Sequence, residues 1–172
     1  LYEVALPEPA GKRDERQKTL KELVSSMEQF YAGMLAVAGA DSREPAYFSM
    51  ELAVPSTRAE LLFFVAVPNG KRTLFEQQLL AIFPDAQLSP QPNDYNVFVE
   101  DGVATVGTAV LRERAVLPLK DYADFDYDPL NAILNAFGKI EESGEGAALQ
   151  LIVERDEHRL DHYRRILAAL RR

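Results

Sequence analysis

Three Gly–Lys pairs, Gly11–Lys12, Gly70–Lys71 and Gly138–Lys139, are the first residues here whose types could hold a phosphate. A phosphate loop needs an earlier glycine and then Gly–Lys followed directly by Ser or Thr, because backbone amides cradle the phosphate and the hydroxyl holds magnesium. The residues that follow are Arg13, Arg72 and Ile140, so cradle and metal ligand are both missing. The two histidines, His158 and His162, are four apart and share one helix face, a feasible metal-ligand spacing. They lie among Arg155, Arg159, Arg164 and Arg165, lack the Glu of the helical zinc-protease motif, and have no Cys to join them, which favours a solvated helix surface.

Asp121, Asp124, Asp126 and Asp128 interleave with Tyr122, Phe125 and Tyr127, and alternating acids can ligate calcium where a loop turns sharply. Counted from Asp124, the sixth position is Pro129 where a Gly is wanted, and the twelfth is Asn135 in place of a bidentate Glu. A solvated loop ending in a helix N-cap is the better reading. No Ser, His and Asp order and no nucleophile elbow is visible. The basic end, Arg164, Arg165, Arg171 and Arg172, complements a helix C-terminal dipole, or faces lipid head groups or a partner. No catalytic, cofactor-binding or metal-binding residue is singled out, and the segment reads as non-enzymatic.

The elements that would position such groups follow from periodicity. Leu1 to Leu6 reads as a strand, and the polar run Pro7 to Lys18 as a loop. A helix then opens with a capping box, Thr19 to Glu22, carries the stripe Leu20, Leu23, Val24, Met27, Phe30, Tyr31, Met34 and Leu35, and ends where Gly39 can supply a left-handed cap. After the linker Ala40 to Pro45, Tyr47 to Val54 alternates as a half-buried strand, with Phe48, Met50, Leu52 and Val54 inward and Ser49 and Glu51 outward. The apolar run Leu61 to Val67 predicts a central strand in a hairpin with it, bounded by the turn Pro68–Asn69–Gly70. A second helix from about Arg72 to Phe83 carries Leu74, Phe75, Leu79, Ile82 and Phe83 and stops at Pro84. Leu88 to Phe98 reads as a broken strand.

Strand, helix, strand, strand, helix, strand is the split β-α-β order of a ferredoxin-like layout, an α+β antiparallel sheet with both helices on one face. Residues 1–99 are expected to form it. Asp101–Gly102 between Val97–Val99 and Val103–Val110 is a tight-turn signal that would extend the sheet by a hairpin, followed by a short strand Ala115 to Leu119. Asp128 and Pro129 open a helix as N-cap and first residue, with Leu130, Ile133, Leu134, Phe137 and Ile140 inward and Gly138 near its end. Past the loop Glu141 to Gly146, Ala147 to Val153 reads as a strand, and Asp156 caps a last helix with the stripe Leu160, Tyr163, Ile166, Leu167 and Leu170. Residues 100–172 thus form a second α+β half packed on the first, or the two make one continuous domain. A duplicated ferredoxin-like layout is compatible with this order.

At 172 residues the chain is long enough for a real core, and 47% hydrophobic with 27% charged residues excludes disordered and low-complexity classes. Zero Cys removes thiolate chemistry, iron–sulfur clusters and disulfides, which suits the cytosol. With 19 basic against 27 acidic side chains and a net charge of −8, the surface repels phosphate backbones, so no direct nucleic-acid contact is expected. No stretch approaches the roughly 20 apolar residues of a membrane span.

Three stretches together resemble one bacterial family: Tyr2-Glu-Val-Ala-Leu-Pro7 before a long helix, Ile82-Phe-Pro-Asp-Ala86 after the second helix, and Asp128-Pro-Leu130 leading to Ala148-Leu-Gln-Leu-Ile-Val-Glu-Arg155. The family is the N-terminal, non-catalytic domain of conjugation and type IV secretion-like ATPases of the FtsK/HerA type, and the resemblance covers nearly the whole chain. It implies an order of membrane segment, α+β domain and hexameric P-loop motor, with both flanks outside these residues. It carries over no functional residue. The expected function is that of a membrane-proximal assembly domain that meets protein partners, by self-association or with secretion components. Its place would be the cytoplasmic face of the inner membrane, reached through the flanking segment. The alternative is a small-molecule-binding regulatory domain of ferredoxin-like type, supported by fold analogy alone.

Overall fold

The computed structural model describes residues 1–6, 20–37, 47–58, 60–110, 112, 128, 130–140, 144–154, 163 and 165–169. Several expectations lie outside these residues: the loop from Pro7, Thr19 of the capping box, Gly39 and its linker, the strand Ala115 to Leu119, the acidic run Asp121 to Tyr127, the cap Asp156, and His158 and His162. Two units emerge, each discontinuous in sequence. One comprises Leu1–Ala53, Leu62–Tyr95 and Ala148–Arg155, the other Val54–Leu61, Asn96–Ala147 and Asp156–Arg172.

The first unit holds β1 (Tyr2–Ala5), α1 (Leu20–Val37), β2 (Tyr47–Val54), β3 (Leu62–Ala66), α2 (Arg72–Ile82) and β4 (Gln87–Pro90). Downstream come α3 (Leu130–Phe137) in the second unit and β5 (Ala147–Glu154), whose residues from Ala148 onward return to the first. The strands form one five-stranded sheet in the order β4-β1-β3-β2-β5. The pairs β1–β3, β1–β4 and β2–β3 are antiparallel, with Tyr2 opposite both Val65 and Pro90, and Met50 opposite Val65. This is an α+β fold. The run β4-β1-β3-β2 is compatible with the ferredoxin-like layout: each helix connects strands that do not pair with each other in the shortest way, leaving β1 and β3 central.

Both helices cover one face of this sheet. Phe30 and Met34 on α1, and Phe75 and Leu79 on α2, are each four residues apart and therefore stack on one helix face. They are buried together with Tyr2, Val4, Phe48 and Val65 from three strands. The rings meet edge to face, Phe30 with Phe48 at 6.1 Å and 87°, and Phe30 with Phe75 at 6.2 Å and 78°, the arrangement that aromatic quadrupoles favour. A 3-10 turn at Asn69–Lys71 leads into α2, and the Phe83 amide closes that helix on the Leu79 carbonyl just before Pro84.

Four expectations change. The broken strand over 88–98 is paired only over Gln87–Pro90, since Pro90 and Pro92 lack amide donors for a ladder. The turn at Asp101–Gly102 forms, with Asp101 at φ 60° and the Gly102 amide donating to the Val99 carbonyl at 3.0 Å. The hairpin around it does not: residues 102–110 form no strand, and Val103, Val106 and Val110 stand exposed. The inward stripes of the later helices are also looser than expected. Asp128 does cap α3, accepting from the Leu130 amide at 2.9 Å, and Ile133, Leu134, Phe137 and Ile140 are half-buried while the residues between them are exposed, but Leu130 is exposed and no residue of α3 is fully buried. Residues 165–169 are helical, with Ile166 and Leu167 exposed. The fourth change is in β2, where Ser49 and Glu51 are each only 5% exposed, so that strand is buried on both faces.

Candidate functional site

The covering of that second face is a polar cluster centred on Glu51. Alternation along β2 sends Phe48 and Met50 to the helices and Ser49 and Glu51 to the opposite side. Ser49 Oγ donates to Glu51 Oε1 at 2.5 Å, and Gln150 Nε2 of β5 donates to the same oxygen at 2.8 Å. Tyr95 Oη, from the segment after β4, donates to Oε2 at 2.6 Å. The Tyr95 ring is held in place by stacking on Phe64, 4.5 Å between centroids and 19° between planes, and Phe64 is the residue opposite Glu51 in the β2–β3 register.

Burial of the Glu51 carboxyl pushes its pKa up, but hydrogen bonds from Ser49, Tyr95 and Gln150 outweigh it and hold the group below the ordinary carboxylate value. Tyr95 moves the other way: burial first, then donation to the Glu51 carboxylate, push its phenol well above the ordinary range. All three donors are neutral, and each of the two carboxylate oxygens is taken. A carboxylate so occupied is a weak proton acceptor, because protonating it must first break charge-assisted hydrogen bonds. Its chemistry is that of a cross-brace joining β2, β5 and the segment after β4.

A second tyrosine and carboxylate pair lies on the helix side. Tyr2 Oη donates to Glu76 Oε1 of α2 at 2.5 Å and accepts from Arg72 Nε at 3.0 Å, with the guanidinium also 5.7 Å from the Tyr2 ring centroid. Burial, then the bond to Glu76, raise the Tyr2 phenol, while Arg72 opposes them.

What the cross-brace attaches is an edge. β5 ends the sheet, and among the described residues no strand pairs with its outer side. It is eight residues long, uncharged up to Glu154, and free of proline. Leu149, Leu151 and Ile152 are 39%, 54% and 59% exposed. The opposite edge, β4, is four residues long and ends in Pro90. Natural edges are usually blunted by shortness, proline or charge, and only β4 is.

The residues weighed for chemistry in the sequence are dispersed. Gly70–Lys71 forms the 3-10 turn before α2, Gly138–Lys139 follows α3, and Asp128 is the α3 cap. Among the described residues no three His, Asp or Glu side chains gather as a metal site, and no helix is long and apolar enough to cross a membrane. Glu51, Tyr95 and Gln150 were not legible as a group. The one available signal was a charged residue inside apolar β2, Glu51, and an amide inside apolar β5, Gln150, and nothing local announced their pairing across 99 positions. Comparison with protein-family models, with curated proteins and with solved structures returns no match.

Proposed function

We propose that this chain is a non-catalytic, membrane-proximal assembly domain of a conjugative or type IV secretion-like translocation ATPase, and that it works by protein contact. The observation that carries the contact role is the outer edge of β5, a long apolar strand with no partner strand on that side among the described residues and with Leu149, Leu151 and Ile152 exposed. Such an edge binds an added strand through main-chain hydrogen bonds, with alternate side chains giving selectivity. The Glu51 cross-brace supports this reading, since it fixes β5 to β2 through Gln150 and so presents the edge on a rigid sheet. The link to a translocation motor rests on the resemblance of the segments at Tyr2, Ile82, Asp128 and Ala148. Within the whole assembly the domain would stand at the cytoplasmic face of the inner membrane.

Reading the gene on both sides of these residues tests the motor assignment. A hydrophobic segment upstream and a P-loop motor downstream in the same reading frame are expected. A frame containing neither overturns it.

A further inference from the structure

We propose that the outer edge of β5 pairs with β5 of a second copy of this chain, antiparallel and centred on Leu151, so that two sheets become one. This deepens the assembly reading above and rests on it for its biological role. Two strands related by a two-fold axis and joined edge to edge in antiparallel fashion require that axis to be normal to the sheet. The helices of both copies then lie on the same side, and facing residues have the same parity along the strand.

Val153 packs toward the helix-side core and Gln150 reaches Glu51 on the other face, so alternation places Leu149, Leu151 and Val153 on the helix side. With Leu151 on the axis, it meets its own mate, and Leu149 meets Val153 of the other copy on either side. One continuous apolar stripe results from residues that are half-buried or exposed in a single copy. Glu154 faces Ala148, so no like charges are opposed, whereas a parallel pairing in register would set Glu154 against Glu154.

The charge distribution favours this occupant. The chain carries −8 overall, which disfavours most contacts between copies, yet residues 147–153 of β5 carry no charge at all. An uncharged, apolar edge offers no complement to a charged peptide and a full complement to itself. One strand pair with one stripe is a small interface, so the association is weak and depends on concentration.

The absence of native Cys makes the register directly testable. Antiparallel residues directly opposite have Cα atoms about 4.5–5.5 Å apart, within the span of a disulfide. Under mild oxidation Leu151→Cys is expected to form disulfide-linked dimers about tenfold faster than Ala148→Cys, whose mate lies six positions away, about 20 Å along the strand. Wild-type protein in sedimentation velocity is expected to shift toward dimer as concentration rises, and Leu151→Lys, which sets two ammonium groups at the axis, to remain monomeric. Equal cross-linking of the two cysteine variants, or a wild-type chain that stays monomeric, overturns the proposal. That result would leave the motor assignment standing if a P-loop follows in the gene, while cross-linking without a P-loop would keep the dimer and remove the motor.

Discussion

The two faces of the sheet each carry a tyrosine that donates to a glutamate, at 2.5 Å for Tyr2 and Glu76 and at 2.6 Å for Tyr95 and Glu51. Their surroundings differ. Arg72 donates to Tyr2 and acts on Glu76 through its charge, and Glu76 is half-buried, so water and a cation can take up what a lost hydrogen bond leaves. Glu51 is 5% exposed and its hydrogen-bond donors are all neutral, so a lost donor leaves part of a buried charge without a hydrogen bond. The same bond is therefore a modest addition on one face and part of an all-or-none network on the other.

Breaking the helix-side core sets the upper scale for this comparison. Phe75 is fully buried, in contact with the Tyr2 ring at 5.3 Å, and Phe75→Ala should cost about 3–5 kcal/mol in denaturant unfolding. Glu51→Ala comes next, at about 3 kcal/mol, since it strands the buried donor Ser49 and the half-buried donor Tyr95. Glu51→Gln should cost less than Glu51→Ala, since its amide oxygen can still accept from these donors; a loss near zero would mean that charge plays no part in the network.

The two hydroxyl deletions then separate the faces. Tyr95→Phe should lose about 1.5–3 kcal/mol, because it withdraws a donor from a buried carboxylate, and Tyr2→Phe about 0.5–1.5 kcal/mol. Equal losses by chemical denaturation would erase the distinction drawn between the networks.

The pH dependence gives the smallest and most specific signature. Glu51 lies below its ordinary value of 4.5 in the fold, so its contribution is present above that pH and is lost as the pH falls through the folded value. Tyr95 and Tyr2 lie above their ordinary value of 10.0, so theirs is present below pH 10.0 and is lost as the pH rises through the folded values. In unfolding midpoints followed against pH, Glu51→Gln should flatten the acid limb. Tyr95→Phe should flatten the alkaline limb more than Tyr2→Phe does.

Much of the first unit was legible along the chain because its elements are strongly periodic. The spacing of Phe30 and Met34, and of Phe75 and Leu79, marked two helices, and the alternation from Tyr47 to Val54 marked β2 to the residue. The hairpin over 97–110 shows the limit of that logic. Its turn is local chemistry and forms at Asp101, while a strand exists only where a neighbour accepts its ladder, and Val103 to Val110 have none among the described residues. The outward assignment of Glu51 failed for a related reason: alternation says that two faces differ, but not what will cover the second.

Local periodicity, caps and breakers determined which residues become helix or strand, because those preferences act over a few residues and need no distant partner. Composition likewise determined that the chain is acidic and free of thiol chemistry. Tertiary structure alone decided that β5 joins β2, that Gln150 and Tyr95 close over Glu51, and that an apolar edge is left outward. Those outcomes depend on non-local pairing, where the entropy of closing a long loop is repaid only by contacts made at its far end.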